Sequence, residues 1–281
     1  MTEEIKKLRG EGYSYSEIAK ATNKSRKYAW KYAKNVKFSK SGLQRYKSSV
    51  KGIISEIKLQ LKNISIPKTR IIGHIFFDGT MYRSKYNSII RYINSSKELI
   101  DQFILDVKKT YGLKKFTIEK YKNYKVPYYK VAFSSKKMYD DLLKYIPLSQ
   151  SKKDFLPIPI KILKGNKKIK IAFLTTFFTD EGSISNKGRI MADLKNKLMM
   201  IQIINLLQEF SLPFKLCEYQ NKNGPICKIY LPKKLEYLKK FYELRLFEKS
   251  IITHGYNLQK KKTDILKHHL ERLKKKTLST K

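Results

Sequence analysis

The chain has 281 residues, more than a typical domain of about 100 to 150, so we expect two or three structural units. Lysine and arginine number 62 against 23 aspartate and glutamate residues, and the resulting formal charge of +39 indicates a polyanionic partner. No apolar stretch approaches the length of about 18 to 20 residues that a membrane-spanning helix needs, and two cysteines and four scattered histidines argue against a disulfide framework or a zinc site.

Residues 1–40 are predicted to form a small helical unit. Ser14 to Glu17 is a capping-box pattern that opens a second helix, and Ser25 caps a third. The third helix, predicted from Arg26 to Lys34, offers Ala29, Trp30 and Ala33 for packing. It presents four basic residues, namely Arg26, Lys27, Lys31 and Lys34. The pattern resembles a DNA-binding helix-turn-helix with Asn23 in the turn. The alternative is a basic three-helix bundle that only packs on the rest of the chain.

Residues 41–66 read as a linker with a bridging helix, because apolar residues recur at helical spacing between positions 50 and 61. The terminal residues 259–281 read as a basic helix or tail. Its apolar residues at helical spacing favour a packing helix with a basic outer face over an independent DNA-binding element.

Two segments of the chain share one sequence pattern. In Ile71 to Gly79 and in Leu174 to Gly182, an apolar run ends in a carboxylate followed by glycine. We expect each run to form a helix that its glycine closes in the left-handed conformation, so that Asp78 and Glu181 lie at helix C-termini. A carboxylate there opposes the helix dipole at a cost of about 0.3 to 1 kcal/mol. Two such ends brought together would repel further, and a hard cation would relieve the conflict.

The sequence around these segments repeats. Each is followed by a predicted hairpin, a helix, two strands and a helix, over residues 67–165 and then over residues 166–258. The repeat is an internal duplication. It predicts an α+β fold of two αββαββα halves with antiparallel sheets, preceded by the all-α unit.

With these motifs and repeats, the chain resembles a single-chain, two-motif LAGLIDADG (dodecapeptide) homing endonuclease, preceded by a helix-turn-helix as in some archaeal members. The resemblance covers about residues 67 to 255. It implies that the two motif helices pack together, that each half offers a saddle-shaped sheet to the DNA major groove, and that Asp78 and Glu181 bind divalent metal at the two scissile phosphates. Metal there would polarise phosphate oxygens and activate water.

The motifs also depart from the family pattern. Gly73 keeps the small residue of the helix interface, whereas Thr176 occupies the matching place in the second motif. Phe77 and Asp180 precede the acids where the family usually has a small residue. We expect these larger side chains to widen or shift the helix crossing. Asp180 could be a second metal ligand, but we interpret it as a solvated acid.

Several basic residues are candidates for contact with nucleic acid. Lys130 and Lys228 recur at matching places on the last strand of each half, opposite in parity to apolar residues, and should face the DNA. They are candidate catalytic lysines, and equally ordinary lysines that contact phosphates. The predicted hairpins carry three arginines that could contact guanine or phosphate, namely Arg83, Arg91 and Arg189.

The leading hypothesis is a monomeric, site-specific double-strand DNA endonuclease that uses Mg²⁺. It would act in the cytoplasm of a prokaryote, in association with the nucleoid. The first alternative is a DNA-binding transcriptional regulator that keeps this scaffold without cutting. The second is an RNA-binding splicing cofactor on the same fold.

Overall fold

The computed structural model describes residues 2–51, 64–84, 87–122, 125–146, 156–221, 224–254 and 257–279. The chain divides into two compact units, over residues 1–56 and 57–281. None of the described helices is both long and apolar enough to cross a membrane. The bridging helix expected between positions 50 and 61 lies, beyond Lys51, outside the described residues.

Helices make up the described part of the N-terminal unit: α1 (Thr2–Gly10), α2 (Tyr15–Ala21), α3 (Arg26–Ala33) and α4 (Lys40–Lys51). The predicted capping box of Ser14 and Glu17 is confirmed, and Ser25 caps α3. Ala29 and Ala33 are buried in a small core, but Trp30 is 50% exposed, so the expected packing of Trp30 was wrong. DNA binding by this unit stays a prediction.

The second unit contains two halves with the same order of elements. The first half comprises α5 (Ile66–Phe76), β1 (Gly79–Arg83), β2 (Ser88–Asn94), α6 (Lys97–Tyr111), β3 (Thr117–Tyr121), β4 (Tyr128–Ser134) and α7 (Lys136–Leu142). After a short helix α8 (Ile160–Leu163), the second half comprises α9 (Lys167–Asp180), β5 (Gly182–Ile184), β6 (Ile190–Leu194), α10 (Lys197–Glu209), β7 (Lys215–Asn221), β8 (Gly224–Tyr230) and α11 (Leu235–Glu243). Helix α12 (Lys262–Ser279) follows. The predicted α+β class with two repeated halves is confirmed.

Each half carries one antiparallel sheet. The strand orders are β1-β2-β4-β3 and β5-β6-β8-β7. Because side chains alternate along a strand, Val131 and Phe133 point into the core while Lys130 points to the other face. Helix α6 covers the core face, where Phe103 packs against Phe133 and Tyr92.

The two motif helices, α5 and α9, pack directly against each other. A Cβ atom added to Gly73 would lie 1.9 Å from the Thr176 hydroxyl oxygen, so the helices approach closely at this point. The Thr176 hydroxyl turns back and donates to the carbonyl oxygen of Phe173 at 2.7 Å. Thr176 does not hold the helices apart, because the glycine opposite leaves room for it.

Phe77, the other bulky neighbour, packs at the same interface. Its ring centroid lies 5.7 Å from that of Phe173 and 5.4 Å from that of Phe177, both on α9. Aromatic pairs at these separations contribute favourably beyond the area they bury. Phe77 therefore adds to the contact between the helices.

We expect Gly73→Ala to lower the free energy of unfolding by about 1 to 3 kcal/mol, because the new methyl group would overlap Thr176. Thr176→Gly alone should cost about 1 to 2 kcal/mol, because a buried side chain is lost and glycine is a poor residue for a helix interior. Since glycine at 176 makes room for alanine at 73, the double variant should lose less than the sum of the two single losses. Urea unfolding of the four proteins measures this coupling, and additive losses would show that the two positions do not meet.

Candidate metal centre and nucleic-acid interface

In each half, the candidate acid lies between the end of the motif helix and the first strand of the sheet. Helix α5 ends at Phe76, and Asp78 stands immediately before β1. Helix α9 ends at Asp180, and Glu181 caps it immediately before β5. Both candidate metal ligands therefore lie at the C-terminus of a motif helix, as the sequence predicted.

The glycines that follow the acids serve a different purpose from the one expected. Gly79 and Gly182 do not have a positive φ, whereas among the described glycines Gly12, Gly112, Gly188 and Gly224 do. Instead, a Cβ atom would lie 2.7 Å from the Ile75 Cα atom at Gly79 and 2.5 Å from the Phe178 carbonyl oxygen at Gly182. Glycine is needed here because the strand leaves against the last helical turn.

The structure brings the two predicted acids to one open cavity of about 680 Å³ between the helix ends. Among the polar residues that line it are Asp78, Asn94, Asp180, Glu181 and Lys262. Three carboxylates and one buried lysine thus share this space, whereas the sequence identified two acids.

The surroundings of Asp78 disfavour the charged form of its carboxyl group. Although Asp78 is exposed, the protein packed around its carboxylate partly desolvates it, and together with the negative charges of Asp180 and Glu181 this raises the pKa of Asp78 to about 8. Lys262 and a hydrogen bond from Asn94 act in the opposite direction. A carboxylate held in this way gains from a nearby cation.

Asp180 is not the solvated acid that we expected. Its side chain is fully buried and accepts hydrogen bonds from the Tyr92 hydroxyl at 2.8 Å and the Asn94 amide at 3.4 Å. The ring nitrogen Nδ1 of His74 lies 2.8 Å from its other oxygen. Asp180 is buried because the first half supplies these partners, which a buried carboxylate requires.

Lys262, the first residue of α12, reaches the same site from the C-terminal helix. Its ammonium group donates to the carbonyl oxygens of Thr179 at 3.2 Å and Gly182 at 2.6 Å, where a cation complements the negative end of α9. Burial lowers the pKa of Lys262 to about 8, although Asp180, Asp78 and Glu181 act to raise it. Sequence reasoning missed this lysine because it is one of eight basic residues between positions 259 and 276.

Sequence reasoning also missed His74, Tyr92 and Asn94, which a comparison of the two halves would have revealed. Strand pairing sets Tyr92 opposite Gly79 and Ala192 opposite Gly182, so these two positions correspond. By the same correspondence Asn94 matches Leu194, and His74 matches Phe177 within the motifs. The first half is polar where the second is apolar, and this difference is visible in the sequence.

The candidate lysines Lys130 and Lys228 lie on the sheets and do not line the cavity. Lys130 pairs with Glu119 at 2.6 Å and donates to the Tyr121 hydroxyl at 2.7 Å. Lys228 lies 3.6 Å from Asp193. Both point away from the core face, and a catalytic role for either stays a prediction.

The basic residues proposed to contact nucleic acid are spread over the chain. Arg83 is exposed and pairs with Asp140, and Arg91 donates to the Tyr82 hydroxyl at 3.2 Å. Arg189 is exposed beside Tyr230. On α3 the three basic side chains are exposed, namely Arg26, Lys27 and Lys31.

Comparison with known proteins gives one curated relative. The homing endonuclease I-ApeI of Aeropyrum pernix is 28% identical over 127 residues, which is 43% of this chain and 55% of the relative. The chain thus matches about half of the length of this relative. No protein-family profile matches the chain.

Solved structures match the fold over a larger part of the chain. The structure of I-DmoI with DNA and Mn is 20% identical, with a TM-score of 0.50, and the match covers 66% of this chain and 98% of that one. I-DmoI with DNA and Ca is 18% identical, with a TM-score of 0.51 and coverage of 74% and 100%. The chain therefore has the fold of the LAGLIDADG homing endonucleases, as its two motifs and repeated halves indicated.

Proposed function

We propose that the protein is a site-specific double-strand DNA endonuclease that hydrolyses phosphodiesters with a divalent metal, Mg²⁺, held by Asp78 and Glu181. The observation that carries this proposal is that two packed helices end in acids that open into one cavity. The relative I-ApeI is a homing endonuclease, and I-DmoI has been crystallised with DNA and metal, which supports the same chemistry here.

The donor set of the cavity suits a hard cation. Carboxylate oxygens are preferred ligands of Mg²⁺, which usually keeps several water molecules and binds substrate phosphates. Within the described residues, no group of three or more His, Cys, Asp or Glu side chains is arranged to hold a metal by itself. Phosphate and water oxygens would therefore complete the coordination. When bound, the metal would polarise the phosphate and lower the pKa of water.

The protein's own residues would prepare this site for the substrate. Asn94 holds Asp78 by a hydrogen bond of 3.2 Å, and Lys262 places a positive charge at the end of α9. The charge of +39 would draw DNA to the protein, with Lys130, Lys228 and the hairpin arginines along the sheets. Because both halves belong to one chain, a monomer would supply both acids, and DNA binding would associate it with the nucleoid of a prokaryotic cell.

Changing both acids should separate cutting from binding. We expect the double variant Asp78→Asn, Glu181→Gln to cut at least about a thousandfold more slowly, because losing a group that stabilises charge in the transition state costs a factor of this size. Affinity for DNA should stay equal or increase slightly, because negative charge near phosphates is lost. Cleavage of a plasmid library with Mg²⁺ and gel-shift titration measure the two effects.

The matched control is Glu243→Gln, since Glu243 is an exposed acid at the end of α11. Cutting by the double variant at the parental rate would remove both acids from the chemistry. Sequence-specific binding without cutting by the unmodified protein would favour the regulator instead, and preferential binding to structured RNA would favour the splicing cofactor.

The raised pKa of Asp78 predicts a pH-dependent stability in metal-free buffer. The carboxyl group titrates near 3.8 in the unfolded chain and near 8 in the folded one, so ionisation destabilises the fold as the pH rises through this window. Asp78→Asn cannot ionise and so avoids this loss of stability. The variant should melt at a higher temperature than the parent above pH 8, and the two should not differ below pH 4.

Thermal unfolding from pH 4 to pH 9 in EDTA checks this expectation. Added Mg²⁺ should stabilise the parent more than Asp78→Asn, because the cation favours the ionised carboxylate. Equal melting profiles for the two proteins at every pH would show that Asp78 is not crowded by like charges.

The exposed basic residues of α3 should strengthen DNA binding. The triple variant Arg26→Ala, Lys27→Ala, Lys31→Ala leaves the buried Ala29 and Ala33 untouched and should bind more weakly, with a salt slope reduced by up to about 2.7. The control changes three exposed lysines of α6, namely Lys97, Lys108 and Lys109. Helix α6 covers the core face of the first sheet, away from Lys130. Equal salt slopes for the triple variant and the parent would show that α3 does not contact DNA.

A further inference from the structure

The side chain that donates a hydrogen bond to Asp78 has an apolar counterpart in the second half. Asn94 is the last residue of β2, and the corresponding last residue of β6 is Leu194. The amide of Asn94 donates to Asp78 Oδ2 at 3.2 Å. A leucine side chain has no donor, so Leu194 cannot hold Glu181 by an equivalent bond.

The orientation of the Asn94 amide is fixed from three sides. Its oxygen accepts the backbone N–H of Ser96 at 2.9 Å, which leaves its nitrogen facing the acids. That nitrogen lies 3.4 Å from Asp180 Oδ1 as well as 3.2 Å from Asp78 Oδ2. Asn94 therefore bridges a carboxylate of the first motif and one of the second.

Asp180 is a rigid anchor for this bridge. Its side chain is fully buried, and His74 and Tyr92, which are buried as well, lie within hydrogen-bonding distance of its two oxygens. Side chains fixed by such a network lose little conformational entropy when a ligand binds. The partners of Asp180 in this network all belong to the first half, and the network fixes the environment of Asp78 in particular.

We propose that Asn94 is a positioning residue for Asp78, anchored by Asp180, and that it makes the two acids of the site inequivalent. The inference rests on the proposed endonuclease function, in which each acid serves one DNA strand. Removing the amide would then slow hydrolysis of the strand served by Asp78, while the strand served by Glu181 would be cut as before.

The test is strand-resolved nicking by the full-length variant Asn94→Leu, which introduces the side chain found at the matching position. With each strand of a cognate duplex labelled, we expect one nicking rate to fall at least tenfold and to need more Mg²⁺ for half-saturation, while the other changes less than twofold. Asn94→Gln, which keeps the amide, should recover part of the rate. Asn205→Leu is the control, because Asn205 is exposed on α10.

A merely structural role for Asn94 would slow both strands alike, and that result, or no change at all, would overturn the proposal. Asp180→Asn should reproduce the strand bias, because it weakens the anchor with little change of shape. Circular dichroism and melting temperature of each variant identify any loss of rate that comes from unfolding.

Metal binding separates failure of this inference from failure of the proposed function. If the unmodified protein cuts no DNA, Mn²⁺ affinity is measured by electron paramagnetic resonance on the full chain. Asp78→Asn and Asn94→Leu should each weaken binding several-fold, and the double variant no further than Asp78→Asn alone, because Asn94 acts through Asp78. Additive losses, or none from Asn94→Leu, would overturn the positioning role. If the unmodified protein binds no Mn²⁺, both the metal-dependent function and this inference fail.

Discussion

The close approach of α5 and α9 at Gly73 and Thr176 is the contact on which the rest of the second unit depends. Because the helices meet there, their C-terminal ends lie together and deliver Asp78 and Glu181 to one cavity. Each helix then leads directly into the first strand of its own sheet, so the same contact relates the two halves. The missing side chain at Gly73 thus sets where the acids are, although Gly73 touches neither of them in any contact described.

The cavity concentrates negative charge at the centre of a strongly basic protein. Three carboxylates line the cavity, and the groups beside them come from different elements: Lys262 from α12, Asn94 from β2 and His74 from α5. Such an arrangement is unfavourable for Asp78, as its raised pKa records, and it remains because the surrounding fold stabilises it. The overall charge attracts a polyanion, whereas the local charge attracts a cation. A metal-dependent nuclease needs both.

Much of the fold could be predicted from sequence because the relevant signals are local. Helix caps such as Ser14 and Ser25 and the alternation around Lys130 depend on neighbouring residues, and the structure has them where expected. The burial of Asp180 could not be predicted in this way, because it depends on Tyr92 and Asn94, which are distant in the sequence. Lys262 was hidden among similar lysines. Trp30 shows the opposite error, since an apolar residue at helical spacing stayed exposed.

Phe77 and Asp180, the two bulky residues that depart from the family motif, are best understood together. Phe77 and Asp180 occupy matching places at the helix interface, but Phe77 meets the rings of Phe173 and Phe177, whereas Asp180 meets His74, Tyr92 and Asn94. Each side chain finds the complementary environment in the opposite half. In a symmetric dimer of the second half, this aspartate would meet the counterparts of His74, Tyr92 and Asn94, which are Phe177, Ala192 and Leu194. None of these side chains can donate a hydrogen bond, and burying a carboxylate without donors is costly. A duplicated single chain escapes this constraint, since its halves can diverge. The asymmetry that buries Asp180 is therefore also the asymmetry that gives Asp78 a hydrogen-bond donor that Glu181 cannot obtain from Leu194.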